Sequence, residues 1–160
     1  MDTILSEKGK VYKRSQLHDE FGGRGQYGIS NCVNYPFILI FSDPRKKNKL
    51  YVDEWKNEHF YYSGEGRVGD MEMTGGNKSL FNHIKDNKQI HLFEKIQTSQ
   101  YIYKGQLEYK DLRYGESEDE NGDLRESFQF IFKKFNSDSI KKIPKKVYPR
   151  RKPKKNIKTS

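Results

Sequence analysis

The sequence predicts an α+β domain whose centre is a curved, partly closed β-sheet or barrel with two short helices. Apolar or alternating segments typical of strands outnumber the helical segments, and we expect about six or seven strands. Few helices fall between consecutive strands, which argues against a doubly wound parallel sheet. The chain has 160 residues, 32% of them hydrophobic, and this fits one domain with a modest core.

The first half of the chain contains one helical segment and several extended ones. Residues 1–13 are irregular or hold a short strand. The segment RSQLHDEFGG predicts a helix with Ser15 as its N-cap and Gly22 and Gly23 at its end. After a glycine-rich loop, PFILIF is the most apolar run and predicts a fully buried strand. LYVDEW and HFYYS predict two strands that KNE joins as a hairpin.

The second half predicts a helix followed by the remaining strands. In GGNKSLFNHIKDN, Leu80, Phe81 and Ile84 have helical spacing. KQIHLFEKI predicts a strand in which Ile90 and Leu92 alternate with the residues of the other face. YIYKGQLEYKDLRY predicts one or two more strands, GESEDENGDL an acidic turn, and SFQFIFKKF a last strand.

The positive charge of the chain is concentrated at its C-terminal end. The formal net charge is +9, and residues 141–160 contain ten Lys or Arg and no acid, so residues 1–140 carry −1. We therefore predict a domain over residues 1–138 and a basic, disordered tail or linker over residues 139–160. Such a tail can hold phosphates without sequence preference, although a purely solubilising role explains it equally well.

Several classes of protein are disfavoured by the sequence. The single cysteine, Cys32, excludes a disulfide within the chain, and no apolar run approaches a membrane span, so we expect a cytoplasmic protein. The four histidines lack metal-ligand spacing, and no nucleophile elbow or phosphate-binding loop is present. We expect no metal, no cofactor and no catalysis. The enzymatic alternative is a small nuclease using Asp70 and Glu72 with a divalent metal, but the usual lysine partner is missing.

A cluster of aromatic residues and glycines indicates a binding site for a flat ligand. LYVDEWKNEHFYYSGEG places Tyr51 and Trp55 on one strand and Tyr62 on the next, with Asp53 between the first two. Aromatic rings stack on a nucleobase, and a carboxylate can accept a hydrogen bond from the exocyclic amine of cytosine. Gly64, with the glycine two residues later, would let backbone N–H groups approach a ligand. The alternative is that these rings are core or cross-strand pairs.

The same residues resemble a known family. HFYYSGEGRVGD, GGNKSLFNH and IHLFE are similar in order and spacing to the SRA (SET- and RING-associated) domain. The variant resembled is that of bacterial McrA-like, HNH-containing, modification-dependent restriction endonucleases. The similarity extends over residues 10–135 and includes the entry segment before PFILIF.

The resemblance implies that the chain binds duplex DNA, flips a 5-methylcytosine or 5-hydroxymethylcytosine out of the stack and recognises it in a pocket. It assigns the stacking ring to Tyr62 and the reader of the amine edge to Asp53, with Glu54 as an alternative reader. Tyr51 or Trp55 would cover the other face of the base. The backbone of Ser63 and Gly64 would line the modified-base pocket.

The resemblance also suggests contacts with the DNA backbone. The candidates are Arg24, Gln26, Ser30, Arg67 and Lys78. We expect the basic cluster PRKKNK to share a face with the pocket and the acidic segment GESEDENGD to point away. An HNH nuclease domain or subunit in a bacterial restriction system is the candidate partner, and no membrane is implied. The remaining alternative is a PUA-like module that binds RNA, since such modules share the barrel and the aromatic cage.

Overall fold

The fold consists mostly of strands, with two helices, as predicted. The structure is a computed structural model that describes residues 8–23, 25, 28–32, 35–44 and 53–135. Its elements in chain order are β1 (Val11–Lys13), α1 (Arg14–Phe21), β2 (Ile29–Asn31), β3 (Phe37–Ser42), β4 (Glu54–Lys56), β5 (His59–Ser63), α2 (Gly75–Phe81), β6 (Gln89–Gln97), β7 (Gln100–Glu118) and β8 (Leu124–Lys134).

The strands form one open, curved, mixed sheet. Its order is β2-β3-β6-β7-β8-β5-β4, and β1 pairs separately with β7. The β3–β6 pair is parallel and all other pairs are antiparallel. Side chains connect strands that are four places apart in this order, because the Trp55 indole on β4 donates to Glu94 on β6 and the Tyr62 hydroxyl on β5 donates toward the Phe41 carbonyl on β3. The sheet is therefore curled so that its two ends approach each other.

The concave face of the sheet holds the larger core. Because strand side chains alternate between faces, Ile38 and Ile40 of β3 enter this core while their neighbours face outward. Aromatic and aliphatic side chains from six strands, α2 and the loop after β5 complete it; the fully buried members are Ile38, Ile40, Phe60, Leu80, Ile90, Leu92, Phe130 and Phe132.

The convex face is covered where α1 packs on β3 and β6. Leu17 and Phe21 of α1 are completely buried against Phe37, Leu39 and Phe93. With both faces covered, β3 is buried at every position, as PFILIF predicted. The predicted alternation in β6 is confirmed, since Ile90 and Leu92 enter the larger core while Phe93 packs on the opposite face. His91 is also buried, and its Nδ1 lies 2.6 Å from the Tyr103 hydroxyl. Burial lowers the pKa of His91 to about 3.

The first helix begins at Arg14, two residues earlier than an N-cap at Ser15 would place it. Lys13 occupies the N-cap position, and its backbone N–H donates to Gln16 Oε1 at 2.8 Å. Ser15 lies inside the first turn, so its prediction as N-cap is wrong. The predicted end is confirmed, since Gly22 is the C-cap and has a φ of 82°.

The two hairpins differ in how well the sequence predicts them. KNE forms the expected tight connection, with φ of 50° at Asn57 and 71° at Glu58. YIYKGQLEYKDLRY lies within a single strand of 19 residues, β7, whose pairing continues across register shifts at Lys104 and Lys110. The predicted acidic turn is shorter than expected, since β7 extends to Glu118.

No helix in the described part of the chain is long and apolar enough to cross a membrane.

We expect Gly64→Ala to destabilise the domain by about 1–3 kcal/mol through overpacking. A Cβ there would lie 3.0 Å from Asn77 Oδ1, 3.2 Å from Met71 Sδ and 3.3 Å from Phe128 Cβ. Gly115→Ala is the matched control, because its Cβ would meet nothing within 4 Å. Chemical denaturation of both variants measures the difference, and equal unfolding free energies would contradict the packing argument.

Candidate functional site

A cleft of about 910 Å³ opens at the Ser63 end of β5. One wall contains the end of β3, together with Arg14 from the start of α1 and Tyr101 from β7. The opposite wall is the glycine loop, residues 64–74, which connects β5 to α2. Asp53 and Tyr62 both line this cleft, so the structure brings together two of the predicted pocket residues.

Asp53 places a mostly buried carboxyl group in the cleft. Its Oδ1 accepts a hydrogen bond from the Ser63 N–H at 3.1 Å. Burial raises the pKa of Asp53 to about 7, and the Ser63 hydrogen bond only partly opposes this rise. A carboxylate has about four lone-pair sites, so one bond to Ser63 leaves capacity for a ligand donor. Neighbouring Glu54 is exposed on β4 and lies 3.8 Å from Lys56.

Tyr62 is anchored to the backbone of two other strands. Its hydroxyl is 3.0 Å from the Gly28 carbonyl and 3.1 Å from the Phe41 carbonyl, and its single proton serves one of them at a time. The ring packs on Phe60, with centroids 5.9 Å apart, and only 4% of the residue is exposed. Tyr62 is thus a core residue that also lines the cleft. Its role in stacking on a base stays a prediction.

The second predicted stacking ring is not found beside Asp53. Trp55 does not line the cleft; it lies toward the turn end of the β4–β5 hairpin, where it packs on Phe60 with centroids 5.0 Å apart. The expectation that Trp55 shares a pocket with Tyr62 is therefore wrong, because Trp55 lies two residues closer to the hairpin turn than Asp53 does. Tyr51, the other candidate, lies outside the described residues.

The backbone donors expected at the start of the glycine loop are used within the chain. The Gly64 N–H donates to the Phe128 carbonyl at 2.9 Å, and Gly64 is buried. The Ser63 N–H is bonded to Asp53. The proposed contact of a ligand with these two N–H groups is therefore wrong for this conformation. Ser63 still lines the cleft, as does Gly66.

Asn77 holds the glycine loop in place, a role that sequence reasoning missed. Its Oδ1 accepts from the Glu65 N–H at 2.8 Å, and its Nδ2 donates to the carbonyls of Glu65 and Glu72 at 3.0 and 2.9 Å. Only 2% of Asn77 is exposed, so loss of the amide would leave buried backbone groups without partners. No local pattern announces this role, because the bonds join loop and helix.

Arg14 forms a cationic wall of the cleft that was also missed. Its guanidinium lies 3.6 Å from the centroid of Phe41, and its Nε donates to His18 Nε2 at 2.9 Å. His18 Nδ1 can then donate to the Gly22 carbonyl at 2.9 Å, which fits a neutral imidazole. Burial lowers the pKa of both Arg14 and His18. The i, i+4 spacing of Arg14 and His18 is a usable signal only once the helix boundary is known.

Comparison with known proteins identifies the family. A sequence profile described as the SRA domain of ScoMcrA-like proteins matches residues 8–153, which is most of the chain. The chain belongs to this family of SRA domains. The resemblance predicted from the aromatic and glycine motifs is confirmed. No curated protein matches the chain.

Solved structures share the fold of this SRA domain. The sulfur-binding and SRA domains of ScoMcrA, complexed with phosphorothioated DNA, match with a TM-score of 0.66 and 22% identity over 82% of this chain and 40% of that one. The DNA recognition domain of LpnPI, a cytosine modification-dependent restriction endonuclease, matches with a TM-score of 0.63 and 18% identity, over 83% of this chain and 77% of that one. The SUVH5 SRA domain in complex with hemimethylated CG DNA matches with a TM-score of 0.60 and 20% identity, over 82% of this chain and 89% of that one. The chain therefore spans less than half of the ScoMcrA chain.

The predicted DNA-backbone contacts of the SRA domain are dispersed. Ser30 is 1% exposed in β2, so its hydroxyl does not face solvent and its predicted contact is wrong for this conformation. Lys78 is exposed on α2, outside the cleft lining. Arg67 lines the cleft, with its Nε 2.6 Å from Glu120 Oε1. Arg24 and Gln26 lie outside the described residues.

The acidic turn packs on the glycine loop, and none of its residues lines the cleft, so the expectation that GESEDENGD points away from the cleft stays a prediction. Asp119 accepts from the Gly69 N–H at 2.9 Å, and Glu120 pairs with Arg67 in the same loop. The turn therefore stabilises the conformation of a cleft wall. The basic cluster PRKKNK, expected to share the face of the pocket, falls almost entirely on residues outside those that the structure describes.

The alternative metal site receives no support within the described ranges, where no three His, Cys, Asp or Glu side chains group closely enough to hold a metal ion. Asp70 Oδ1 accepts from the Glu126 N–H at 2.7 Å, which attaches the loop to β8. This hydrogen bond gives Asp70 a structural role in fixing the loop.

We expect the free energy of unfolding of Asp53→Asn, relative to that of the wild type, to be higher at pH 8 than at pH 4. The folded-state pKa of Asp53, about 7, exceeds the ordinary value of 3.8, so the folded state holds the extra proton between these values and loses stability as pH rises. The amide of the variant does not titrate, so its advantage should grow by about 1–3 kcal/mol from pH 4 to pH 8, after discounting for partial exposure.

Denaturation at several pH values measures this difference. Glu54→Gln changes the adjacent, exposed carboxylate and should leave the pH profile unchanged. Parallel profiles for the wild type and Asp53→Asn across the whole range would show that the carboxyl of Asp53 is well solvated.

Proposed function

We propose that this SRA domain binds duplex DNA and recognises a 5-methylcytosine or 5-hydroxymethylcytosine that is flipped into the cleft beside Asp53 and Tyr62. The observation that carries the proposal is the buried carboxyl of Asp53 next to a backbone-anchored ring, in a cavity of about 910 Å³. Membership of the SRA family supports it, as do fold neighbours that recognise modified DNA.

Asp53 would distinguish cytosine from thymine at the base edge. An ionised carboxylate accepts from the N4 amine of cytosine but faces the O4 acceptor of thymine, so thymine leaves a desolvated acceptor without a partner. Because burial raises the pKa of Asp53 to about 7, this discrimination belongs to the ionised form and should strengthen above pH 7, since a neutral carboxyl can instead donate to thymine O4. Removing the base from the stack costs a few kcal/mol, which contacts in the cleft must offset.

The biological role that we propose is the specificity element of a modification-dependent restriction system, with cleavage by an HNH nuclease domain or subunit. The support is the restriction context of LpnPI and of the restriction endonuclease ScoMcrA, of whose chain this chain covers 30%. On this proposal the chain itself does not cleave DNA. Specificity and cleavage then belong to different parts of the system.

The test is fluorescence-anisotropy binding to one duplex with cytosine, 5-methylcytosine, 5-hydroxymethylcytosine or glucosylated cytosine at a single position, at fixed salt. We expect a preference of about 10-fold or more for one modified duplex, since an enclosed methyl-sized group contributes about 1–3 kcal/mol. Asp53→Asn should weaken binding to that duplex by about 10- to 100-fold, because it replaces an acceptor with a group that can present a donor.

Glu54→Gln is the matched control, since it changes the neighbouring carboxylate outside the cleft and should retain the preference. Tyr62→Phe keeps the ring and removes its anchor, so it separates stacking from positioning without emptying the core. Matched RNA tests the PUA-like alternative. Equal, steeply salt-dependent binding to every duplex would overturn the proposal, because it would leave only non-specific phosphate contacts.

A further inference from the structure

A second cavity, of about 680 Å³, lies at the turn end of the β4–β5 hairpin. Its lining includes four lysines, Lys8, Lys104, Lys133 and Lys134, together with Trp55. We call it the lysine pocket. The lysines come from β7, β8 and the segment before β1, so the fold collects them from positions distant in sequence.

The lysine pocket and the cleft lie at opposite ends of β5. Glu58, in the hairpin turn, lines the pocket, whereas Ser63, the last residue of β5, lines the cleft. His59 at the first position of β5 pairs with Lys133 in the sheet. With about 3.3 Å per residue, the two ends of this five-residue strand are about 13 Å apart. A base held in the cleft therefore does not occupy the lysine pocket.

The two cavities have opposite charge balance. Five carboxylate residues and three cationic residues line the cleft, whereas four lysines and one acid, Glu58, line the lysine pocket. A cleft dominated by carboxylates suits an uncharged base but repels phosphate. The lysine pocket has the charge that attracts a polyanion.

Contacts with the sheet position Trp55 in this charged environment. Its indole N–H donates to Glu94 Oε2 at 3.2 Å, and Lys134 Nζ lies 5.7 Å from its ring centroid. Lys104 Nζ is 3.9 Å from Glu94 Oε1, so one partly buried acid supports both the ring and a lysine. The indole thus lies beside the ammonium group of Lys134 in a pocket that Lys104 also lines.

We propose that the lysine pocket binds the phosphate backbone of duplex DNA, as a contact separate from the modified-base cleft. The ligand is a stretch of unmodified duplex that does not itself present a base to the cleft. This contact supplies affinity without sequence or modification preference. Recognition and non-specific attachment are then carried out at opposite ends of the sheet.

The chain contains one tryptophan, so Trp55 reports on the pocket directly. We would titrate the full chain with a short unmodified duplex and record tryptophan emission and DNA anisotropy in parallel. We expect Trp55 emission to change as DNA binds and to return when salt is added. In the variant Lys104→Gln, Lys133→Gln, Lys134→Gln, the slope of log K against log salt should fall by about 2–3, because each lost phosphate contact removes about 0.9.

The matched control carries Lys10→Gln, Lys13→Gln and Lys85→Gln, which remove the same charge from exposed positions outside both cavities. It should keep both the emission change and most of the slope. Unchanged Trp55 emission at saturating DNA, or equal slopes for the two triple variants, would overturn the proposal. The pocket triple variant should retain any preference for modified cytosine, so failure of the lysine pocket and failure of the cleft give different results.

Discussion

The structure depends on one cross-sheet contact, the hydroxyl of Tyr62 against the carbonyls of Gly28 and Phe41. β5 and β3 are four places apart in the sheet, and this contact brings them together at the cleft end. A buried hydroxyl that lost its partners would cost about 1–3 kcal/mol, so the curled arrangement is favoured over a flatter one. The curl brings Asp53 and the end of β3 to the same cleft.

The same contact resolves an ambiguity that the aromatic cluster left open. Tyr62 is a core residue, as the cross-strand alternative held, yet it also forms part of the cleft surface. Trp55 is only partly buried: its indole packs against the same core and donates to Glu94 on β6, outside the cleft. Rings two strand positions apart can therefore serve different cavities, since each position along β4 and β5 moves a side chain along the axis of the curl.

Sequence reasoning succeeds here where local chemistry determines structure. PFILIF and HFYYS have apolar patterns that leave one choice of element, and Gly22 ends a helix because its φ of 82° suits glycine. It fails where distant residues meet. Asn77 with the glycine loop, Asp119 with Gly69 and Arg14 with Phe41 are contacts between separate elements, with no signature in either segment alone. β7 exceeded its predicted length because bulges preserve pairing where the alternation breaks.

The charge distribution explains how a body of nearly neutral net charge can serve a DNA-binding function. On the proposed function, the base that enters the cleft is uncharged, so carboxylates there improve selection of its amine edge and disfavour occupation by phosphate. Attraction to the DNA backbone must then come from elsewhere on the chain. The lysine pocket places that attraction at the other end of β5, where cations do not compete with the flipped base for Asp53. Within the cleft, carboxylate residues outnumber cationic ones by five to three, so its charge balance favours an uncharged base over a phosphate.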